Sequence, residues 1–227
     1  MKTEKLNMLE PDSIEKAIFV LKSQGYDISD PWDIVDIFEK KIAEFAGSKY
    51  AVTIDNCTDS MFLCLKYLGY EGEITIPCKT WLSVPSMIIH AGCKVKFEDL
   101  EWSGVYQLNP TPVYDSATRF TKDMYIPESY QCVSFHHRKT LGIGKGGIIL
   151  TNDEEAYKWF KIARYEGRNL EVPYEKDDHE ILGWNMYMTP EQAARGVLLF
   201  ENLPKENSDT GGSWSYKDLS NYKIFNT

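Results

Sequence analysis

Between Tyr50 and Asn152 the sequence changes its period again and again. A short β-branched or apolar run gives way to a stretch with helical apolar spacing, and then another short run follows. Runs at 50–54, 73–76, 93–97, 111–114, 131–134 and 147–151 read as strands. The segments at 58–68, stopped by Gly69, and 81–90, with Pro85 early, read as helices. Strands that point the same way need a crossover between them, and a helix is the usual crossover. The expected architecture is therefore α/β: a three-layer, mostly parallel sheet flanked by helices. Two helices precede this alternation. Residues 13–24 place Ile14, Ala17, Ile18 and Leu21 on one face, with Gly25 as the stop. The next opens with Asp30 as N-cap and Pro31 in its first turn, carries the stripe Ile34, Ile37, Phe38, Ile42 and Phe45, and ends at Gly47. Further helices are expected at 153–165 and 190–203.

At 227 residues the chain suits one domain, expected over 1–203, followed by a tail at 204–227. That tail starts with the turn-like Ser208-Asp209-Thr210-Gly211-Gly212-Ser213 and is punctuated by Trp214, Tyr216, Tyr222 and Phe225, so it is either a docked arm or a mobile end. Cys57, Cys64, Cys78, Cys93 and Cys132 are scattered without a Cys-x-x-Cys pair, which predicts buried, reduced thiols and neither a disulfide framework nor a zinc site. A formal charge of −9 argues against nucleic acid as a partner. No apolar run reaches membrane-spanning length, and Met1-Lys2-Thr3-Glu4-Lys5-Leu6-Asn7 has no apolar signal core. The expectation is a cytoplasmic protein without a membrane partner.

In sheets of this class ligands gather where strands end and loops enter helices, and the polar residues that stand out fall at such places. Asn56-Cys57-Thr58-Asp59-Ser60 joins a strand to a helix, where free amides and a hydroxyl make either an anion cup or a plain N-cap. Trp81, in the turn after the second strand, offers either a stacking face or a core side chain. Asp115 closes a strand, as a partner for a protonated pyridine nitrogen or as a cap of the next turn. Ser134 closes another strand, as a phosphate donor or a cap. Lys139 ends Ser134-Phe135-His136-His137-Arg138-Lys139 just ahead of a glycine-rich turn, where an amine can form a Schiff base with a carbonyl cofactor if it is not simply solvated. Together these groups meet the needs of pyridoxal 5′-phosphate.

At these residues the chain resembles the DegT/DnrJ/StrS group of nucleotide-sugar aminotransferases, over roughly residues 32–203. The resemblance lies in Phe38-Glu39, Tyr50-Ala51-Val52, the Asn-Cys-Thr-Asp-Ser segment where the family has Ser-Gly-Thr-Asp-Ala, Pro77-Cys78-Lys79-Thr80-Trp81 and Tyr114-Asp115-Ser116-Ala117. It continues in Ser134-Phe135-His136 with Lys139, Gly146-Gly147 with Thr151-Asn152-Asp153, and Gly183-Trp184-Asn185 leading to Gln192-Ala193-Ala194. It implies a fold type I large domain of the pyridoxal-phosphate-dependent transferases, with Lys139 as the Schiff base lysine and proton shuttle. Asp115 would sit on the pyridine nitrogen and Trp81 on the ring, with Cys57, Thr58 and Ser134 at the phosphate. Asn185 would reach the phosphate of a neighbouring subunit, which implies a homodimer with shared active sites. His136 matches a frequent family residue and is expected to be buried and hydrogen-bonded; His137 is expected to be structural or exposed. The implied reaction converts a keto-deoxy nucleotide sugar to an amino sugar with glutamate as amino donor.

The chain also departs from the family. Residues 99–115 are too few for the usual strand-helix unit, so the sheet must lose an element or be rewired there. The family's small C-terminal domain is expected to be largely absent. Thr118 and Tyr187 stand where Gln or His, and Arg, are common. These departures leave a competing reading, a non-catalytic remnant that binds cofactor or a partner. A dehydratase relative has His at the lysine position. A dinucleotide fingerprint would have to follow a strand, whereas Gly142-Ile143-Gly144-Lys145-Gly146-Gly147 precedes one.

Overall fold

The computed structural model describes residues 14–225, so residues 1–7 and the first position of the 13–24 helix lie outside the described residues. Two helices open the fold, α1 (Ile14–Ser23) and α2 (Asp33–Ala46). The second starts later than expected. Asp30 instead accepts the Trp32 amide at 2.8 Å, and Asp33 accepts the amides of Ser29 and Asp30 at 2.7 and 2.8 Å, so Pro31 lies in a turn ahead of the helix. Then follow β1 (Tyr50–Ile54), α3 (Cys57–Leu68), β2 (Glu73–Pro77), α4 (Ser83–His90), β3 (Lys94–Glu98), β4 (Tyr106–Gln107), β5 (Val113–Asp115), β6 (Tyr130–Ser134), β7 (Gly147–Thr151), α5 (Glu154–Ala163) and α6 (Pro190–Phe200). No helix among the described residues is long and apolar enough to cross a membrane.

The main sheet runs in the order β1-β7-β6-β5-β4, and β2 and β3 pair in parallel beside it. Strand β7 is antiparallel to both β1 and β6, β5 and β6 are parallel, and β4 is antiparallel to β5. Reciprocal bonds between Thr75 and Asn109, at 2.8 and 3.1 Å, join β2 antiparallel to the segment just after β4. Hence β1, β2, β3, β5 and β6 share one direction and only β4 and β7 oppose it. The short 99–115 connection is rewired: the chain turns back as the two-residue β4 and still bridges the two halves of the sheet.

Period 2 in β7 shows why this is a three-layer fold. Ile148 and Leu150 face a core built with Leu21, Ile34, Phe38, Ile42 and Val197 from α1, α2 and α6. Ile149 faces the opposite core, with Met61, Leu65, Ile88 and Phe160 from α3, α4 and α5. A strand covered on both faces reads as a continuous apolar run, as Ile148-Ile149-Leu150 does. All five cysteines are buried and free.

A buried ion cluster pins α2 to β1 and α5. Arg164 Nη1 pairs with Glu39 Oε1 and donates to the Thr53 carbonyl at 2.7 Å. The Thr53 amide and hydroxyl each donate to the same carboxylate oxygen at 2.8 Å, and Lys161 Nζ lies 3.1 Å from the other. Burial alone would raise the Glu39 pKa, but the charges of Arg164 and Lys161 and the two Thr53 bonds overcome it and hold the group at about 2.

The tail is a docked arm. The Ser213 amide donates to the Trp102 carbonyl at 3.0 Å and the Leu219 amide to the Cys78 carbonyl at 2.9 Å, while Phe225 is buried.

Candidate active site

The N-terminus of α3 starts one position earlier than the sequence suggested, at Cys57. Asn56 caps it by accepting the Asp59 amide at 2.9 Å. The amides of Cys57 and Thr58 have no intrahelical partner, and no other group among the described residues takes them. The Thr58 hydroxyl lies 2.7 Å from that of Ser83, at the start of α4. Gly147 lets β7 press against this turn, since a Cβ there would come within 2.5 Å of the Cys57 nitrogen. Asp59 does not turn toward the open amides. It meets Asn56 Nδ2 at 2.5 Å, beside an Asp55 that is itself paired with Lys145 at 2.8 Å. Burial, followed by the Asp55 carboxylate, pushes the Asp59 pKa up to about 6.

Asp115 closes β5 and is buried, and its two expected roles coexist. Its Oδ1 accepts the Ala117 amide at 2.9 Å, which is the turn cap, and its Oδ2 accepts the Tyr106 hydroxyl at 2.7 Å. With that phenol proton directed at Asp115, the Thr80 hydroxyl, 2.5 Å away, donates to the Tyr106 oxygen. Burial raises the Asp115 pKa, against the Tyr106 and Ala117 bonds and the positive charge of Lys139. Burial and the Asp115 charge push the Tyr106 phenol well above its ordinary value. Sequence reasoning missed Tyr106 because a two-residue strand carries no period to read.

Lys139 lies in the loop between β6 and β7. That loop is held by bonds from Phe135 to Gly146 (2.9 Å), His137 to Gly144 (3.0 Å) and Lys139 to His136 (2.8 Å). The lysine is half-buried, and its amine makes no hydrogen bond or ion pair with any described residue. Its positive charge acts to lower the pKa of both Asp115 and Cys57. Burial pushes the Cys57 thiol far up, so it stays neutral. Ser134 closes β6 and its hydroxyl accepts the His136 amide at 3.4 Å, a loose cap. His136 is exposed rather than buried. Its ring is 4.1 Å from that of His137, and partial desolvation together with neighbouring positive groups lowers its pKa.

Trp81 is 58% exposed, so it is not a core side chain. Asn185 is exposed and donates to Glu166 at 2.6 Å, next to Met186, whose carbonyl accepts the Asp55 amide at 2.8 Å. Tyr187 packs against Trp32 and Tyr165 with ring centroids 5.4 and 4.7 Å away.

The centre therefore offers two open helix-start amides, the Thr58 hydroxyl, a buried carboxylate with spare lone pairs, an exposed indole and an unpaired amine. That set fits pyridoxal phosphate: amides and hydroxyl for its phosphate, carboxylate for its ring nitrogen, indole for its ring and amine for its aldehyde.

Comparison with known proteins agrees with this chemistry. The model of the DegT/DnrJ/EryC1/StrS aminotransferase family matches residues 10–130 and 126–216. GDP-perosamine synthase of Escherichia coli O157:H7 is 25% identical over 219 residues, covering 77% of this chain and 59% of that protein. The spore coat polysaccharide biosynthesis protein SpsC of Bacillus subtilis (strain 168) is 25% identical over 221 residues, covering 74% and 57%. The chain thus spans less than two thirds of the length of these relatives. Among solved structures, E. coli GDP-4-keto-6-deoxy-D-mannose-3-dehydratase with bound hydrated pyridoxal phosphate superposes with a TM-score of 0.63 at 19% identity, covering 86% of this chain and 66% of that one. The α/β fold with its helix-flanked sheet is that of a fold type I large domain.

Proposed function

The chain belongs to the DegT/DnrJ/EryC1/StrS aminotransferase family, and from that premise we propose that it is a pyridoxal-phosphate-dependent aminotransferase acting on a keto-deoxy nucleotide sugar with glutamate as amino donor. The observation that carries this reading is the Lys139 amine, without a partner among the described residues, whose positive charge acts on the buried Asp115. When bound, the cofactor supplies an electron sink for exchange of a carbonyl for an amine. Lys139 Nζ would be the amine that holds the cofactor's aldehyde and, when free, the base that moves a proton during the exchange. Asp115, kept as a carboxylate acceptor by Tyr106 and Ala117, holds the proton on the ring nitrogen. Thr58 and the first-turn amides of α3 hold the phosphate, with Cys57 as a neutral wall and Ser134 as a further donor. Trp81 covers the ring.

Two further parts of the proposal concern assembly. Residues 1–203 act as one catalytic domain, with the tail docked on it. The exposed position of Asn185 suits a homodimer in which it serves the neighbouring subunit's phosphate.

The test is to mix the purified chain with pyridoxal phosphate, reduce with borohydride and map the modified peptide. Label on Lys139, and its loss after glutamate converts the cofactor to its amine form, would support the enzyme. Keto-deoxy nucleotide sugars would then be screened for return of the starting spectrum. Label that glutamate leaves unchanged would instead favour a cofactor-binding protein without turnover.

A further inference from the structure

Residues 209–219 cross the candidate site as a strap. Asp209 accepts Arg119 Nε and Nη2 at 2.9 and 2.7 Å and the Ser103 hydroxyl at 2.8 Å. Thr118 donates its hydroxyl to the Gly211 carbonyl at 2.9 Å, so this departure from the family pattern serves the strap. The Gly104 amide donates to the same carbonyl at 3.0 Å. Gly212 permits the close approach, since a Cβ there would lie 2.4 Å from the Trp102 carbonyl oxygen.

Between these anchors and Leu219 sits Tyr216. Its ring stacks on Trp102 at 5.7 Å and 15°, and meets Trp81 nearly edge-on at 6.3 Å and 65°. The Trp102 indole is fixed by its N–H to the Lys79 carbonyl at 2.9 Å, and its other neighbour is Tyr106, 4.7 Å away, whose hydroxyl is on Asp115. A row of rings thus runs from Asp115 to Trp81, and Tyr216 is the member that the strap supplies.

We propose that Tyr216 is a positioning residue of the cofactor site: its ring completes the wall begun by Trp102 and Trp81 and fixes how a flat heteroaromatic ring lies at Asp115. The inference rests on reading this centre as a pyridoxal phosphate site. Its chemistry suits the task. A phenol ring has only two soft torsions, so little freedom is lost when it is held between two indoles. Burial, followed by the charge of Asp115, pushes its pKa up to about 12, so it brings no negative charge to a phosphate-bearing ligand. Its hydroxyl has no hydrogen-bond partner among the described residues and is free to meet the ligand.

The experiment titrates pyridoxal phosphate into the full chain and into Tyr216→Ala, Tyr216→Phe and Asp209→Ala. It reads affinity from absorbance and ring orientation from the visible circular dichroism of the bound chromophore. Tyr216→Ala should weaken binding about tenfold, the scale of one lost aromatic contact, and abolish most of the induced dichroism. Tyr216→Phe should restore both. Asp209→Ala, which frees the strap but keeps the ring, should weaken binding by a smaller factor, and it decides the matter if Tyr216→Ala does not fold. Unchanged or tighter binding in folded Tyr216→Ala, with unchanged dichroism, would overturn the positioning role and leave the Lys139 reading standing. A wild-type chain that binds no cofactor would overturn both.

Discussion

Glu39 on α2 and Asp115 at the end of β5 are both buried carboxylates, and their surroundings differ in one respect. Around Glu39 every donor has its acceptor: Arg164, Lys161 and both Thr53 donors converge on two oxygens. Around Asp115 the protein supplies only the Tyr106 hydroxyl and the Ala117 amide, and the nearby Lys139 amine, Cys57 amide and Thr58 amide are left without partners. The first cluster is closed and serves folding. The second is open, and its open groups are those a phosphate-bearing aldehyde would take. A buried polar group is costly unless paired, which is why the Glu39 cluster is closed, whereas the helix-start amides and the half-buried Lys139 amine stay open to solvent or to a ligand.

Substitutions should separate the two regions. The largest effect is expected from Arg164→Ala, which takes the buried partner from Glu39 and leaves Lys161 as its counter-charge, and should cost about 3 kcal/mol in urea unfolding. A loss below about 1 kcal/mol would break the contrast. Acid should act on the same cluster. The Glu39 pKa is held below its unfolded value of 4.5, so its contribution is complete above about 4.5 and disappears as pH falls toward 2, by about 3 kcal/mol in all. Urea midpoints against pH should show that slope in the wild type and a flatter one in Glu39→Gln.

Smaller effects belong to the open region. Tyr106→Phe removes a buried donor from Asp115 and should cost about 1–2 kcal/mol, with the Asp115 carboxyl titrating higher by NMR. Asp59 has the opposite sign to Glu39. Its pKa is raised to about 6, so its ionised form is a burden above pH 6 that fades as pH falls toward its unfolded value of 3.8. Asp59→Asn should therefore raise stability at pH 7, by less than about 1 kcal/mol because the group is partly solvated, and should remove that part of the pH dependence. Lys139→Ala should leave the cofactor-free chain within about 0.5 kcal/mol of wild type, since its amine holds nothing in the fold.

Legibility in the sequence followed the same division. Strand β7 was readable to its ends because Gly147 and Thr151 bound a continuous apolar run. The places of Thr58 in the first turn of α3, Trp81 after β2, Asp115 at the end of β5 and Lys139 ahead of a glycine turn were readable because strand ends and glycine turns locate them locally. The Glu39–Arg164 pair was not, since the partners lie far apart in the chain and only folding brings them together. Tyr106 was hidden in a two-residue strand, and the place of Tyr216 depends on backbone bonds from a tail whose polar composition allowed docking or mobility alike. His136, matched to a frequent family residue, was expected to be buried and hydrogen-bonded, but the loop that frees Lys139 also turns His136 outward.

The most direct test of the open centre is borohydride reduction of the wild type and Lys139→Ala after incubation with pyridoxal phosphate, followed by peptide mapping. The account predicts stoichiometric label at Lys139 in the wild type and none at that peptide or elsewhere in the variant, with both chains equally stable. Equal labelling of the variant, or label spread over surface lysines in the wild type, would contradict it.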